Sequence, residues 1–148
     1  MKTIALRFAE NFAPECGTIA AHNQVIEERG SVWYGKLGSP VSTGVVSRIM
    51  EADDPVILLI HSGRQERYWA HVRSISREVP DVSLIPTYYR GNAPKFGCWF
   101  EVTRFERAAN DVMSRCVVAS SKKPLTAASR YSMSPYFIID YEEDGDVQ

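Results

Sequence analysis

The sequence predicts an α+β fold: a small mixed, curved β-sheet or partly closed β-barrel flanked by two or three helices. Three observations predict it. Pro55 to Arg77 reads as a single β-hairpin, two helical stretches alternate with strand-like runs before it, and three more strand-like runs follow it with little helical sequence between them. That order gives mixed strand pairing, which argues against a doubly wound parallel sheet.

The chain opens on Thr3 to Phe8, where Ile4, Leu6 and Phe8 alternate with Thr3, Ala5 and Arg7 as in a half-buried strand. Glu10 to Pro14 reads as loop. Thr18 is placed to cap a helix whose Ile19, His22, Val25 and Ile26 recur at helical spacing, and Gly30 stops it. Glu27 and Glu28 sit at the wrong end of that helix for its dipole, at a cost of a few tenths of a kcal/mol. Ser31 to Tyr34 predicts a short second strand closed by Gly35 to Pro40. Ser42 caps a second helix with Val45, Val46, Ile49 and Met50 on one side, and Asp53-Asp54-Pro55 ends it.

The hairpin carries the strongest local signal. Val56 to Ile60 is a continuous run of branched and aliphatic side chains, which suits a strand buried on both faces. After a polar tip the return strand alternates, with Tyr68, Ala70 and Val72 on one face and Trp69, His71 and Arg73 on the other. The first set suits a core, the second stacking, hydrogen bonding and anion contact. Pro80 to Pro94 is a long loop with Tyr88 and Tyr89 in it, and loops of that length usually carry function. Cys98 to Arg107, Val112 to Ala119 and Tyr136 to Tyr141 read as the remaining strands, with a helical turn after Leu125.

At 148 residues, with 24% charged and 45% hydrophobic side chains, the chain has the composition of one globular domain, expected over residues 1–141 with a disordered acidic tail at 142–148. No apolar run reaches the roughly 18 residues of a membrane span. Three cysteines at wide spacing argue against a disulfide framework and suit a reducing cytoplasm. The net charge of −1 is not that of a strong polyanion binder, but it is uneven. The tail holds Glu142, Glu143, Asp144 and Asp146, which leaves residues 1–141 with 17 basic and 14 acidic groups, or +3. Arg64 to Arg77 alone holds four arginines against one acid.

Several chemistries are excluded. Cys16, Cys98, Cys116, His22, His61 and His71 show no paired metal-ligand spacing, so no metal site is expected. Gly35-Lys36-Leu37-Gly38-Ser39 lacks the frame of a phosphate loop. His61 and Ser62 are neighbours in an extended segment and point to opposite faces, so they form no nucleophile and base pair. The aromatic residues remain: Trp33, Tyr34, Trp69, Tyr88, Tyr89 and Trp99 fall at strand ends or in the long loop.

The order of these features resembles the EVE and YTH branches of the PUA-like superfamily. The resemblance rests on Ser31-Val32-Trp33 after a helix, on the hydrophobic strand ending His61-Ser62-Gly63, and on the return segment Trp69-Ala70-His71-Val72. It rests also on Lys123-Pro124-Leu125-Thr126 before the last strand. It implies a non-catalytic reader of a modified or flipped base in DNA or RNA, of bacterial or phage type, without a cofactor. By position it implies a base pocket drawn from Trp33, Tyr34, Tyr88, Tyr89, Trp69, Asn11 and Ser62. Arg64, Arg67, Arg73, Lys36 and Arg90 would contact phosphates. Two other readings stand beside it. One is an ASCH-type nucleoside amidohydrolase, with Lys36 as base, Thr103 as nucleophile and Glu101 as acid. The other is a domain that binds a small metabolite or a protein on the same barrel.

Overall fold

The computed structural model describes residues 1–8, 17–61, 66–132, 134 and 136–142, with the side chains of all of them except Leu37, His61, Tyr89 and Tyr131. Asn11, Cys16, Ser62, Arg64 and the acidic tail beyond Glu142 lie outside the described residues.

Seven strands form one curved, unclosed sheet: β1 (Lys2–Phe8), β2 (Val32–Leu37), β3 (Val56–His61), β4 (Arg67–Ser76), β5 (Phe96–Arg107), β6 (Cys116–Val118) and β7 (Tyr136–Tyr141). Their spatial order is β2-β5-β4-β3-β1-β7-β6. Only β1 and β3 run parallel; every other neighbouring pair is antiparallel. Three α-helices join them: α1 (Thr18–Arg29), α2 (Thr43–Met50) and α3 (Leu125–Tyr131). The mixed α+β architecture is the one the sequence predicts. No helix among the described residues is long and apolar enough to cross a membrane.

The sheet buries both faces. On the inner face, Ile4, Leu6, Ile57, Leu59, Ala70, Val72, Phe100 and Val102 pack under α1 and α2, which contribute Ile19, Val25, Val45 and Ile49. On the outer face, Ala5, Leu58, Ile60, Phe137 and Ile139 pack under α3 and the turn at Val112–Arg115. The alternating assignment of β3 side chains to the two clusters explains its unbroken apolar run. At the β2–β5 end of the outer face a third, smaller cluster gathers Ile85, Ala93 and Trp99.

Local chemistry sets the boundaries. Gly30 takes a left-handed conformation, φ 92°, and its N–H caps α1 at the Ile26 carbonyl. Ser42 Oγ accepts from Val45 N and caps α2 as expected. Thr18 does not cap α1; it is its first residue, after Gly17. Two larger differences have physical causes. β2 runs on through Gly35 to Leu37 instead of closing at Tyr34, because the Phe96 ring lies flat on the strand there. A Cβ on Gly35 would come within 2.8 Å of that ring, so only glycine lets the strand pass beneath it. Val112 to Ala119 is not one strand. Val112–Arg115 forms a 3₁₀ turn, held by Ser114 Oγ on the Asp111 carbonyl and by the Asp111–Arg115 ion pair at 2.9 Å. These local bonds compete with the sheet and leave only Cys116–Val118 to pair.

Candidate functional site

β2 is an edge strand, so its alternation decides what reaches the outside. Val32, Tyr34 and Lys36 pair with Val102, Phe100 and Cys98 and face the inner core. Trp33 and Gly35 pair with Glu101 and Trp99 and face outward. Above them the long loop folds into 3₁₀ turns at Val82–Leu84 and Thr87–Lys95, which lower Ile85 and Ala93 onto Trp99. Trp33, Tyr88 and Phe96 pack around that small core and are only partly buried. Phe96 meets Trp99 edge-on, with centroids 5.1 Å apart.

Beside Trp33 lies an ionised carboxylate. Glu101 accepts from Ser31 Oγ at 2.9 Å, Ser74 Oγ at 2.8 Å and the Arg73 guanidinium. The Arg73 hydrogen bond outweighs the burial of the group and holds Glu101 below the usual carboxylate range. Its side chain is 12% exposed, while that of Arg73 is 60% exposed. Residues directly opposite on antiparallel strands have Cβ atoms about 5 Å apart, so the carboxylate stands next to the indole. Arg90 leaves the same 3₁₀ segment as Tyr88 and donates from Nε to the Ile85 carbonyl at 3.0 Å.

Trp33 and Tyr88 thus pack against the same small cluster; Arg73 binds the Glu101 that stands opposite Trp33, and Arg90 follows Tyr88 in the 3₁₀ segment. Of the other predicted pocket residues whose side chains are described, Tyr34 and Trp69 do not belong to this cluster. Tyr34 is buried on the inner face against His22, centroids 5.2 Å apart. Trp69 belongs to the outer cluster under α3 and packs edge-on against Tyr141 at 4.9 Å. Asn11, Ser62 and Arg64 lie outside the described residues, as does the side chain of Tyr89. Arg67 begins β4 half-buried, and its carbonyl receives Ala108 N. Lys36 is 5% exposed on the inner face; its Nζ donates to Ser39 O at 2.6 Å and sits 5.1 Å from the Tyr136 ring centroid. Burial lowers its pKa.

The hydrolase grouping is not assembled. Lys36 faces inward beside Cys98, whereas Glu101 faces outward and is engaged by Arg73, Ser31 and Ser74. Thr103 Oγ1 donates to the His71 carbonyl. Burial pushes the Cys116 thiol up to about 12, so it stays protonated. No cluster of metal-ligating side chains occurs among the described residues.

Two arrangements escaped the sequence reading. His71 sits between Asp54, 3.1 Å from Nδ1, and Glu106, 2.9 Å from Nε2, with Arg104 also within 3.0 Å. His22 is fully buried among Tyr34, Tyr88 and Phe105, its Nδ1 2.8 Å from the Thr18 carbonyl. Its helical spacing marked it as a core residue, but nothing in the sequence announced Tyr88 as its neighbour.

Neither the curated proteins nor the solved structures contain a match to this sequence. The profile of the Pua-like family, whose domains generally bind RNA or other nucleic acids, matches residues 4–143. With the mixed curved sheet and its helices as described, the chain belongs to the Pua-like family.

Proposed function

We propose that this chain is a non-catalytic module that takes a modified or flipped nucleobase of DNA or RNA against Trp33 and Tyr88, with Arg73 and Arg90 as a basic rim. The observation that carries the reading is the convergence of two partly exposed rings, one from β2 and one from the long loop, on a single platform around Trp99. Stacking a base on such a ring contributes about 1–3 kcal/mol. A buried methyl group adds only about 0.8 kcal/mol, roughly four-fold in affinity, so discrimination needs polar groups that reject the wrong edge. Glu101 supplies one. As an ionised carboxylate it only accepts hydrogen bonds, and it favours a base edge that presents N–H donors beside the indole. The family membership supports nucleic acid as the ligand class.

The test is fluorescence anisotropy with short oligonucleotides carrying modified and unmodified bases. Trp33→Ala should lower affinity about 5- to 160-fold, the equivalent of one lost stack, with Trp33→Phe intermediate. Glu101→Gln should narrow the ratio between modified and unmodified probes more than it lowers affinity. Equal binding of every probe by wild type and Trp33→Ala, in a protein whose melting midpoint shows it folded, would rule the reading out.

A further inference from the structure

The inner face of the sheet is not covered everywhere. α2 packs over β1, but β7 lies beyond it, and there Ile138 is 37% exposed although its neighbours Phe137 and Ile139 are buried on the opposite face. A cleft of about 960 Å³ opens between β7, α3 and the β6–α3 turn. A second hollow of about 370 Å³ lies between β7, the start of β1 and α2. Both are lined by Ala119 and Ile138, so they adjoin, and together they are termed the trough. At the other end of the larger cleft is Tyr136, whose ring lies under Lys36 of β2.

The charged side chains among the described lining residues are all cations. Lys2, Arg48 and Lys123 line the trough, and among the described residues no aspartate or glutamate lines it. Lys2 is shared with Asp140 at 3.3 Å, an exposed pair. Arg48 and Lys123 make no ion pair with any described residue. Around them stand the hydroxyl-bearing side chains of Ser120, Ser134 and Tyr136, and the floor is apolar. In a chain whose net charge is −1, two exposed cations without an ion-pair partner among the described residues, set beside hydroxyls and with Asp140 engaged by Lys2, leave these hollows with a local excess of positive charge.

We infer that this trough seats the phosphodiester backbone of a nucleic-acid strand, with Arg48 and Lys123 each neutralising a phosphate, hydroxyls donating to phosphate oxygens and the apolar floor carrying sugars. The inference rests on nucleic acid being the ligand, but not on the stacking site at Trp33. It adds a binding surface distinct from the phosphate contacts the sequence predicts at Arg64, Arg67, Arg73, Lys36 and Arg90.

Each phosphate neutralised on a single strand contributes about −0.7 to the slope of log affinity against log salt. The experiment measures that slope for an unmodified oligo-dT or oligo-U of about a dozen nucleotides between 50 and 300 mM salt. Arg48→Ala and Lys123→Ala should each lower its magnitude by about 0.7 and the double variant by about 1.4. Arg29→Ala, at the exposed end of α1, should leave it unchanged. Both altered side chains are exposed, so the variants retain the fold, and melting midpoints verify this. An unchanged slope in the double variant overturns the inference. So does equal competition by poly-glutamate, because the trough would then accept any polyanion. The two proposals separate cleanly: a Trp33→Ala protein that loses base preference but keeps the slope supports both. A double variant that loses the slope while Trp33→Ala alters nothing upholds the trough and refutes the stacking site.

Discussion

His22 shows how a single side chain links burial to pH. The imidazole is sealed among Tyr34, Tyr88 and Phe105, and burial lowers its pKa from 6.5 to about 4 despite the opposing hydrogen bond to Thr18. The folded protein therefore holds it neutral, with Nδ1–H donating to the carbonyl. The unfolded chain takes up a proton near pH 6.5 and the folded chain only near pH 4, so the unfolded state gains as pH falls through that window. Stability from this group is complete above pH 6.5 and declines between 6.5 and 4, by about 3 kcal/mol in total. Urea midpoints measured from pH 7.5 to 4 should fall more steeply in wild type than in His22→Leu, which has nothing to titrate at that position. Parallel curves would mean that the imidazole reaches water. Because Tyr88 leans on His22, acid should also loosen the loop that carries the proposed stacking wall.

At the scale of elements, much of the fold was legible. β1, the two early helices, the hairpin and β7 each carried a period, a cap or a breaker that acts within a few residues, and each lies close to where the pattern put it. What the sequence concealed depends on contacts between distant segments. The glycine at 35 looked like a strand terminator, but it is the space for Phe96, some 60 positions away. Gly35→Ala tests this: the added carbon cannot coexist with the ring, so the variant should lose about 1–3 kcal/mol and show altered near-ultraviolet dichroism from the Trp33–Trp99 cluster. Ser42→Ala, a purely local change at a cap, should cost about 1 kcal/mol and leave that dichroism alone. The same distinction explains the site. Alternation placed Trp69, His71 and Arg73 opposite a core face, and the structure agrees on the alternation. It could not reveal that the opposite face is itself covered near Trp69, where α3 and Tyr141 fill it, and only partly covered near Trp33. The trough along β7 was illegible for a related reason. Arg48, Lys123 and Tyr136 come from three separate elements and share no sequence pattern.

For the molecule as a whole, the decisive quantity is where charge sits. A net charge of −1 is not that of a strong polyanion binder, yet residues 1–141 carry +3 and the acids that reverse the sign are concentrated at the end of the chain. β7 ends at Tyr141 beside the amino terminus, whose carbonyl receives Tyr141 N, and Lys2 and Asp140 stand at that same end of the trough. A polyanion approaching this chain therefore meets the cations of the trough and a net charge that the acids after Tyr141 in the sequence turn negative. Removing residues 143–148 deletes Glu143, Asp144 and Asp146 and changes the net charge from −1 to +2. Charge of that order acts through encounter, so the association rate with an oligonucleotide should rise several-fold at 50 mM salt while the dissociation rate changes little. The gain should vanish by about 0.5 M salt, where the screening length falls to a few ångströms. Stopped-flow fluorescence with a labelled oligo-dT on the 148-residue chain and the shortened one separates the two rates. An association rate that is the same for both chains at low salt would show that the acidic segment does not oppose the approach, and the excess of basic groups in residues 1–141 would then act on nucleic acid undiminished.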